Sequence, residues 1–365
     1  MLDTLPLSLG PRRSYGHRMT SEVHIHRHGR VGHISLNRPK ALHALTLDMC
    51  HTMSAALTEW ADDDEIEAVI LDHAEGRGFC AGGDINLLRH SALNDGGVSG
   101  RKFFHDEYQL NHQMMTYEKP IVAFMDGITM GGGVGIALPC KYRVATENTR
   151  FAMPETGIGL FPDVGGGWHL SRLGGRLGQF LALTGARLDG AECLWAGIAT
   201  HYLPSDMIAD AKARIIEKPT RIPGVLSEMV GTAPKARIEG NADKIRKHFA
   251  SDTYEDILAS LEQALTLDPD SAEAHSNKGV TLMKLDRPDD AVASYRRATA
   301  LNPDYAKTHN NLGNALKKTG RLEDAAASHR WAIALNPDYA EAHTNLGNVL
   351  KAMGRLEDAV ASYRK

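Results

Sequence analysis

The chain has 365 residues, of which 42% are hydrophobic and 24% charged, a composition typical of soluble globular proteins and a length sufficient for two domains. Its net charge of −4 at pH 7 gives no electrostatic basis for binding nucleic acid or an anionic membrane. No run approaches the ~20 apolar residues of a membrane span, and the four cysteines form no CxxC pair, which favours reduced thiols in a cytoplasmic protein.

Residues 1–20 are expected to form a disordered leader. Their short apolar piece precedes the arginines instead of following them, so the segment lacks a secretory pattern, and Met19 could be the true start. Arg12, Arg13 and Arg18 make the segment basic and nearly free of acids, which leaves organelle targeting as a weaker alternative.

Residues 22–36 alternate as two strands around a turn at residues 28–30, which predicts a β-hairpin. His24, His26 and His28 share one face of the first strand, so a metal site is an alternative to consider. Three histidines along one strand fit a closed tetrahedral site poorly, and a solvated strand face is favoured.

The pattern next predicts a helix to about residue 61, a strand at residues 67–72, and a short helix that begins at Asp84 and ends near His90. Residues 91–100, SALNDGGVSG, are predicted to be a flexible loop that could act as a lid. A helix then follows, ending before Pro120, and its core side is predicted to include Phe104, Tyr108, Leu110 and Met114.

Two glycine-rich turns each lie between a strand-like and a helix-like run. They are GFCAGGDI at residues 78–85 and MDGITMGGGVGIA at residues 125–137. Such a turn exposes backbone N–H groups, and two donors aimed at one point make an oxyanion hole. Cys80 lies in the first turn, where a nucleophilic role is a minor alternative.

A third stretch, FAMPETGIGLFPDVGGGWH at residues 151–169, places Glu155 and Asp163 in an otherwise apolar run. A buried acid is costly unless it is paired, hydrogen-bonded or used in chemistry. From the residues alone, catalysis and a purely structural role, with Glu155 as a helix cap and Asp163 as a turn residue, both stay open. Trp168 is expected to pack rather than contact a substrate.

The segments CAGGDI, MGGGVG and MPETGIGLFPDVGGG, in this order and spacing, resemble the crotonase (enoyl-CoA hydratase/isomerase) superfamily, and within it the 3-hydroxyisobutyryl-CoA hydrolase branch. The resemblance covers about residues 21–255, and a crotonase-like acyl-CoA domain is predicted at residues 21–254. It implies an α/β core of ββα turns wound as a spiral, with an acyl-CoA lying across the glycine turns.

The resemblance also implies roles for individual residues. The backbone amides of Gly83 and Gly132 would form the oxyanion hole, Glu155 would be the catalytic glutamate, and Asp163 would be the acid characteristic of the hydrolases. No metal is implied, and no cofactor apart from the CoA of the substrate. The implied substrate- or CoA-binding residues are Arg38, Lys40, Ala41, Leu42, Ala81, Gly82, Asp84, Ile85 and Gly131.

One position departs from the hydratases of the superfamily. Where a hydratase has its second glutamate, after the GGG of the second turn, this chain has Gly135. Water addition by two glutamates is therefore disfavoured, whereas isomerase-like or other single-acid chemistry stays open.

From about residue 272 the sequence repeats every 34 residues, as the spacing of Gly279, Gly313 and Gly347 shows. Small residues at fixed helix-contact positions, with Pro at the helix ends, resemble the tetratricopeptide repeat. An all-α solenoid is predicted at residues 255–365. Its repeats are 272–305, 306–339 and an incomplete 340–365, preceded by a helix at 254–270 that also resembles the one following the hydrolase core.

The resemblance implies that hydrolases of this branch continue with further helices near the active site and in subunit contacts, and here repeats replace them. The last repeat has no polar cap, so the chain would continue or be covered by a partner or a second copy. A protein or peptide on the concave face, and a homo-oligomer, are the expected partners, with neither nucleic acid nor membrane among them.

Three functions remain as hypotheses. The leading one is hydrolysis of a short branched 3-hydroxyacyl-CoA thioester, above all 3-hydroxyisobutyryl-CoA in valine breakdown, with Glu155 acting as nucleophile or as base. The second is an enoyl-CoA hydratase or isomerase. The third is a non-catalytic scaffold that binds protein partners through the repeats.

Overall fold

The structure is a computed structural model that describes residues 22–155, 161–251, 253–267 and 269–363. Two compact units make up the chain. The first contains residues up to Thr149 together with Thr200–Thr232, and the second contains Arg150–Ala199 and Ala233–Lys365. The predicted leader at residues 1–20 lies outside the described residues.

The described residues form ten strands and seventeen α-helices. The strands are β1 (Val23–His28), β2 (Val31–Leu36), β3 (Ala68–His73), β4 (Gly78–Cys80), β5 (Ile121–Met125), β6 (Ile128–Met130), β7 (Tyr142–Ala145), β8 (Arg150–Ala152), β9 (Leu188–Asp189) and β10 (His201–Tyr202). The first ten helices are α1 (Leu47–Ala61), α2 (Ile85–Asn94), α3 (Val98–Met115), α4 (Gly132–Ala137), α5 (Gly166–Leu170), α6 (Leu177–Thr184), α7 (Gly190–Trp195), α8 (Ile208–Glu217), α9 (Ile222–Glu228) and α10 (Ala242–His248). The others are α11 (Tyr254–Leu267), α12 (Ala272–Lys284), α13 (Pro288–Leu301), α14 (Ala306–Lys318), α15 (Leu322–Leu335), α16 (Ala340–Ala352) and α17 (Leu356–Tyr363). Among the helices that the structure describes, none combines the length and apolar character that crossing a bilayer requires.

The first unit is built on a sheet with the strand order β1-β2-β3-β5-β7-β10. The β1–β2 hairpin is antiparallel, as the sequence predicts, and the other pairs are parallel. Strand β3 reads AVILDH, a nearly continuous apolar run typical of a parallel strand buried on both faces. Its Ile70 and Phe124 of β5 belong to a core that α8 and α9 complete with Ile215 and Leu226.

The predicted flexible loop at residues 91–100 is wrong. Helix α2 continues to Asn94 and α3 already begins at Val98, so the connection is only three residues long. Asp95 stabilises this tight turn, since its carboxylate accepts hydrogen bonds from the Ser91 hydroxyl at 2.6 Å and from the Val98 N–H at 2.9 Å. The glycines serve the left-handed turn, with φ of +65° at Gly96, and do not mark a mobile loop.

The predicted core side of α3 is partly wrong. Leu110 and Met114 are buried, whereas Tyr108 is 41% exposed. Phe104 is half-buried, and the buried stripe instead includes Phe103 and Glu107.

The histidine-bearing strand is largely solvated, as predicted. His26 and His28 are exposed, and half-buried His24 is hydrogen-bonded to Asn37 at 3.0 Å. Within the described residues, no group of three or more His, Cys, Asp or Glu side chains is arranged to hold a metal ion.

The second unit combines an antiparallel β8–β9 pair with helices α5 to α7 and α10 to α17. The predicted repeats are present as the helix pairs α12–α13, α14–α15 and α16–α17. The small residues act as expected, since a Cβ at Gly279, Gly313 or Gly347 would collide with a ring of the second helix of the same repeat. Glycine therefore sets the close approach of the two helices.

Gly279→Ala is expected to lower the free energy of unfolding by about 1–3 kcal/mol, since overpacking a tight core costs this much. Its Cβ would lie 2.6 Å from Cε1 of buried Tyr295. The direction of this change in the free energy of unfolding is informative, because Gly→Ala in an unobstructed helix is stabilising by about 1 kcal/mol. Gly167→Ala, in helix α5 with nothing within 4 Å, is the matched control for urea unfolding. Equal unfolding midpoints of the two variants would contradict the packing described.

Candidate active site

The first glycine turn is held by backbone hydrogen bonds to an earlier segment of the same unit. Ala81 N–H donates to the Leu42 carbonyl at 2.9 Å, Leu45 N–H to the Gly82 carbonyl at 2.7 Å, and Asp84 N–H to the Leu45 carbonyl at 2.9 Å. The segment predicted to approach CoA thus runs alongside the first turn. Two segments about 40 residues apart in the sequence are joined here by main-chain hydrogen bonds.

The second glycine turn packs directly on the first. A Cβ at Gly82, where φ is +114°, would lie 3.5 Å from the Gly132 nitrogen, and one at Gly133 would collide with the Cys80 carbonyl. A Cβ at Gly132 would lie 3.3 Å from the Gly83 nitrogen. Only glycine allows two backbones to approach this closely, and the approach brings the two predicted oxyanion donors together.

Neither of these two amides is used by the fold. Among the described residues, neither the Gly83 nor the Gly132 N–H group donates a hydrogen bond to a backbone carbonyl. A backbone N–H left without a partner is uncommon inside a protein. Two adjacent N–H groups of this kind can donate to one oxygen, which is the chemical requirement of an oxyanion hole.

The charged residues predicted to bind CoA pair with each other. The Arg38 guanidinium contacts Glu22 at 2.9 Å and Asp84 at 2.8 Å, while Asp84 also accepts hydrogen bonds from two N–H groups at the start of α2. The pair therefore fixes the first turn against the Arg38 segment, and CoA binding by these residues stays a prediction. Of the other predicted contacts, Lys40 and Ile85 are exposed, Ala41, Leu42, Ala81 and Gly131 are half-buried, and Gly82 is buried.

Glu107 is a candidate site residue that the sequence analysis missed. It is 1% exposed, and its Oε1 occupies the space that a Gly132 side chain would need. Its negative charge also contributes to raising the pKa of Cys50 and of Cys80. Its burial could have been inferred from its position in the sequence, since it lies four residues after Phe103 and therefore on the same face of α3.

Cys80 does not have the properties of a nucleophile. It is fully buried, and this burial raises the pKa of its thiol to about 12, so the thiolate is scarce at neutral pH. The structure thus disfavours the minor alternative considered for this residue.

The two predicted catalytic acids lie in the second unit. Strand β8 ends at Ala152, and Met153 and Pro154 connect it to Glu155. Glu155 is 6% exposed, and its Oε2 has no hydrogen-bond partner among the described residues. A helix cap would accept hydrogen bonds from the N–H groups that follow it, and these belong to residues 156–160, which lie outside the described residues, so the capping interpretation stays open beside the catalytic one.

The pKa of the Glu155 carboxyl group is far from its ordinary value. Burial, and then the nearby charge of Asp163, raise its pKa to about 7. Asp163 is half-buried, and its carbonyl accepts a hydrogen bond from the Gly166 N–H at 2.5 Å at the start of α5. A strongly shifted acid beside a second carboxylate is a pattern found at functional sites.

Trp168 is 53% exposed, with the Arg172 guanidinium 3.2 Å from its ring centroid. It therefore packs within its own turn of the chain and is less buried than we expected.

The sequence profile of the Enoyl-CoA hydratase/isomerase family matches residues 31–295, and that of the tetratricopeptide repeat matches residues 287–320 and 313–354. The chain therefore belongs to the enoyl-CoA hydratase/isomerase family and carries its enzyme domain. Curated proteins similar to it are described as "3-hydroxyisobutyryl-CoA hydrolase, mitochondrial". The one from Rattus norvegicus is 44% identical over 256 residues, 68% of this chain and 66% of that protein. The one from Danio rerio is 42% identical over 265 residues, 69% of each.

Solved structures show the same fold. A carnitinyl-CoA dehydratase from Mycobacterium thermoresistibile matches with a TM-score of 0.68 at 32% identity, covering 94% of this chain and 96% of the other. An enoyl-CoA hydratase from Rhodobacter sphaeroides 2.4.1 matches with a TM-score of 0.65 at 31% identity, covering 94% and 97%. The predicted fold class is confirmed, and matches of this extent also include most of the repeat helices.

Proposed function

We propose that the chain hydrolyses a short branched 3-hydroxyacyl-CoA thioester, with 3-hydroxyisobutyryl-CoA as the first substrate to test. The observation that carries the proposal is the buried Glu155, whose Oε2 has no partner among the described residues and whose pKa is raised by burial and by Asp163. The hydrolase names of the similar proteins, which this chain matches over about two thirds of their length, support the same choice. The direct test is thiol release from this ester.

The chemistry needs a donor pair and a carboxylate. In this proposal the Gly83 and Gly132 amides donate to the thioester oxygen and stabilise the negative charge that develops when the carbonyl carbon is attacked. Glu155 either attacks that carbon, so that CoA leaves as thiolate and water later opens the anhydride, or takes a proton from the attacking water and returns it to the thiolate. Both routes begin with an ionised Glu155.

Turnover is therefore expected to rise with pH and to reach half its maximum near pH 7, the pKa of Glu155. Turnover rises and does not fall with pH, because the Glu155 carboxyl group is protonated and inactive below its raised pKa and ionised above that pKa. The kcat measured between about pH 5.5 and 8.5 checks this.

Asp163→Asn removes a charge that raises this pKa, so its half-maximum is expected at a lower pH than that of the wild type. A kcat that stays constant from pH 5.5 to 8.5, or a midpoint unmoved in the variant, would contradict the role of Glu155.

Glu107 favours a second candidate, addition of water to an enoyl-CoA. Gly135 removes the glutamate expected after the second turn, but Glu107 places a different carboxylate against Gly132, the residue predicted to hold the thioester oxygen. The two solved structures described above are also named as a dehydratase and a hydratase. Loss of the enoyl absorbance of crotonyl-CoA without thiol release would select this function.

A further inference from the structure

The connection between α6 and β9, residues 184–188, lies directly beside the segment that carries Glu155. Leu188 pairs with Phe151 in the antiparallel β8–β9 ladder. Gly185, with φ of +55°, approaches so closely that a Cβ there would lie 3.2 Å from Pro154 Cα. This connection, with the last residue of α6 and the first of β9, is called here the 184–188 loop. It packs against the two residues that precede Glu155.

The two ends of one tetratricopeptide repeat, residues 306–339, hold the same loop. The Lys307 ammonium, at the start of α14, donates a hydrogen bond to the Thr184 carbonyl. The Arg187 guanidinium lies 5.4 Å from the ring centroid of Tyr339, the residue before α16, within the range of a cation–π contact. Loop and repeats together line a cavity of about 910 Å³.

Lys307 departs from its own repeat pattern. The equivalent positions, 34 residues before and after it, are Glu273 and Glu341. A lysine here reverses the charge in the repeat that hydrogen-bonds Thr184, and an ammonium can donate to a carbonyl where a carboxylate cannot. Burial lowers the pKa of Lys307 to about 8, while the charge of Glu341 acts to keep it protonated. The contact is thus a local specialisation of the array.

We propose that Lys307 is a positioning residue for Glu155, and that the repeats, by holding the 184–188 loop against Pro154, fix the carboxylate for hydrolysis. The inference rests on the proposed function. It assigns the repeats a part in the activity of the core, because an error of about 1 Å in the position of a reacting group can reduce the rate on the order of a hundredfold.

The test compares Lys307→Met with Lys307→Arg and with Lys318→Met. Lys318 lies in the same helix and lines the same cavity, but pairs with Asp286 at 2.6 Å and does not contact the loop. Lys307→Met is expected to lower kcat about tenfold with KM changed by less than about twofold, since orientation is lost while ground-state binding remains. Lys307→Arg, which can still donate to Thr184, is expected to recover most of kcat, and Lys318→Met to match the wild type.

Hydrogen exchange of the backbone provides a readout that does not require activity. Exchange at residues 150–155 is expected to accelerate at least about tenfold in Lys307→Met and to stay unchanged in Lys318→Met. Unchanged exchange there, or a kcat loss shared equally by the two Met variants, would overturn the positioning role. If the wild type releases no thiol, the proposed function fails, and the exchange data alone decide whether Lys307 holds the segment.

Discussion

Glu155→Gln is expected to reduce kcat for thioester hydrolysis by about 10³-fold, within the range by which a positioned acid or base accelerates proton transfer. Glutamine has nearly the same size and keeps the buried site filled, but its amide can neither attack the carbonyl carbon nor accept the proton of water. Binding of the CoA ester is expected to persist, because the Gly83 and Gly132 amides are unchanged. Thiol release under single-turnover conditions, together with calorimetric titration of the ester, measures both effects.

The stability of this variant separates catalysis from a structural role. Since the pKa of Glu155 is raised from 4.5 to about 7, ionising it opposes folding, and this cost is absent below about pH 4.5 and complete above about pH 7. The free energy of unfolding of Glu155→Gln, relative to that of the wild type, is therefore expected to increase by on the order of 3 kcal/mol from pH 4.5 to pH 8. An exposed glutamate of the same unit, Glu239→Gln, is the control and is expected to change neither activity nor this pH dependence. A Glu155→Gln protein that keeps full activity, or loses activity and stability together at pH 8, would contradict the catalytic role.

Gly132→Ala has the second largest expected effect, a loss of about 10²–10³-fold in kcat, the amount that removal of one oxyanion donor costs. The new Cβ would collide with Oε1 of Glu107 and lie 3.2 Å from Cδ1 of Leu45 and 3.3 Å from the Gly83 nitrogen. Glu107 is buried and Gly83 is backbone, so neither can move away easily, and the two amides must separate. Gly240→Ala, with nothing within 4 Å, is the control substitution.

Gly83→Ala tests the same pair of amides in a variant that is expected to fold. In Gly83→Ala the new Cβ would lie 2.9 Å from Cε1 of Phe103, an atom at the edge of a side-chain ring that can shift. We expect Gly83→Ala to keep the circular dichroism of the wild type and still lose at least about tenfold in kcat. Wild-type kcat in both glycine variants would show that these amides do not hold the reacting oxygen.

The repeats and the glycine turns could be predicted because their patterns report direct physical constraints. A glycine every 34 residues indicates close helix contacts, and Gly279 meets Tyr295 as expected. Glycines at strand ends indicate close backbone approach, and Gly82 packs against the Gly132 nitrogen.

The remaining features depend on contacts that periodicity does not encode. The sequence did not single out Glu107, because charged residues are seldom buried, yet tertiary packing places it against Gly132. The flexible loop predicted at residues 91–100 is wrong because its glycines and Asp95 build a tight turn, which composition alone cannot distinguish from a flexible loop. Lys307 differs visibly from Glu273 and Glu341 in the sequence, but only the fold identifies Thr184 as its partner.

Hydrolysis is tested most directly by thiol release from 3-hydroxyisobutyryl-CoA by the 365-residue chain, with Glu155→Gln and crotonyl-CoA run alongside. We expect thiol release from the hydroxyacyl ester that disappears in the variant, and no loss of enoyl absorbance from crotonyl-CoA. A folded wild-type chain that releases no thiol, or that hydrates crotonyl-CoA instead, would contradict this expectation.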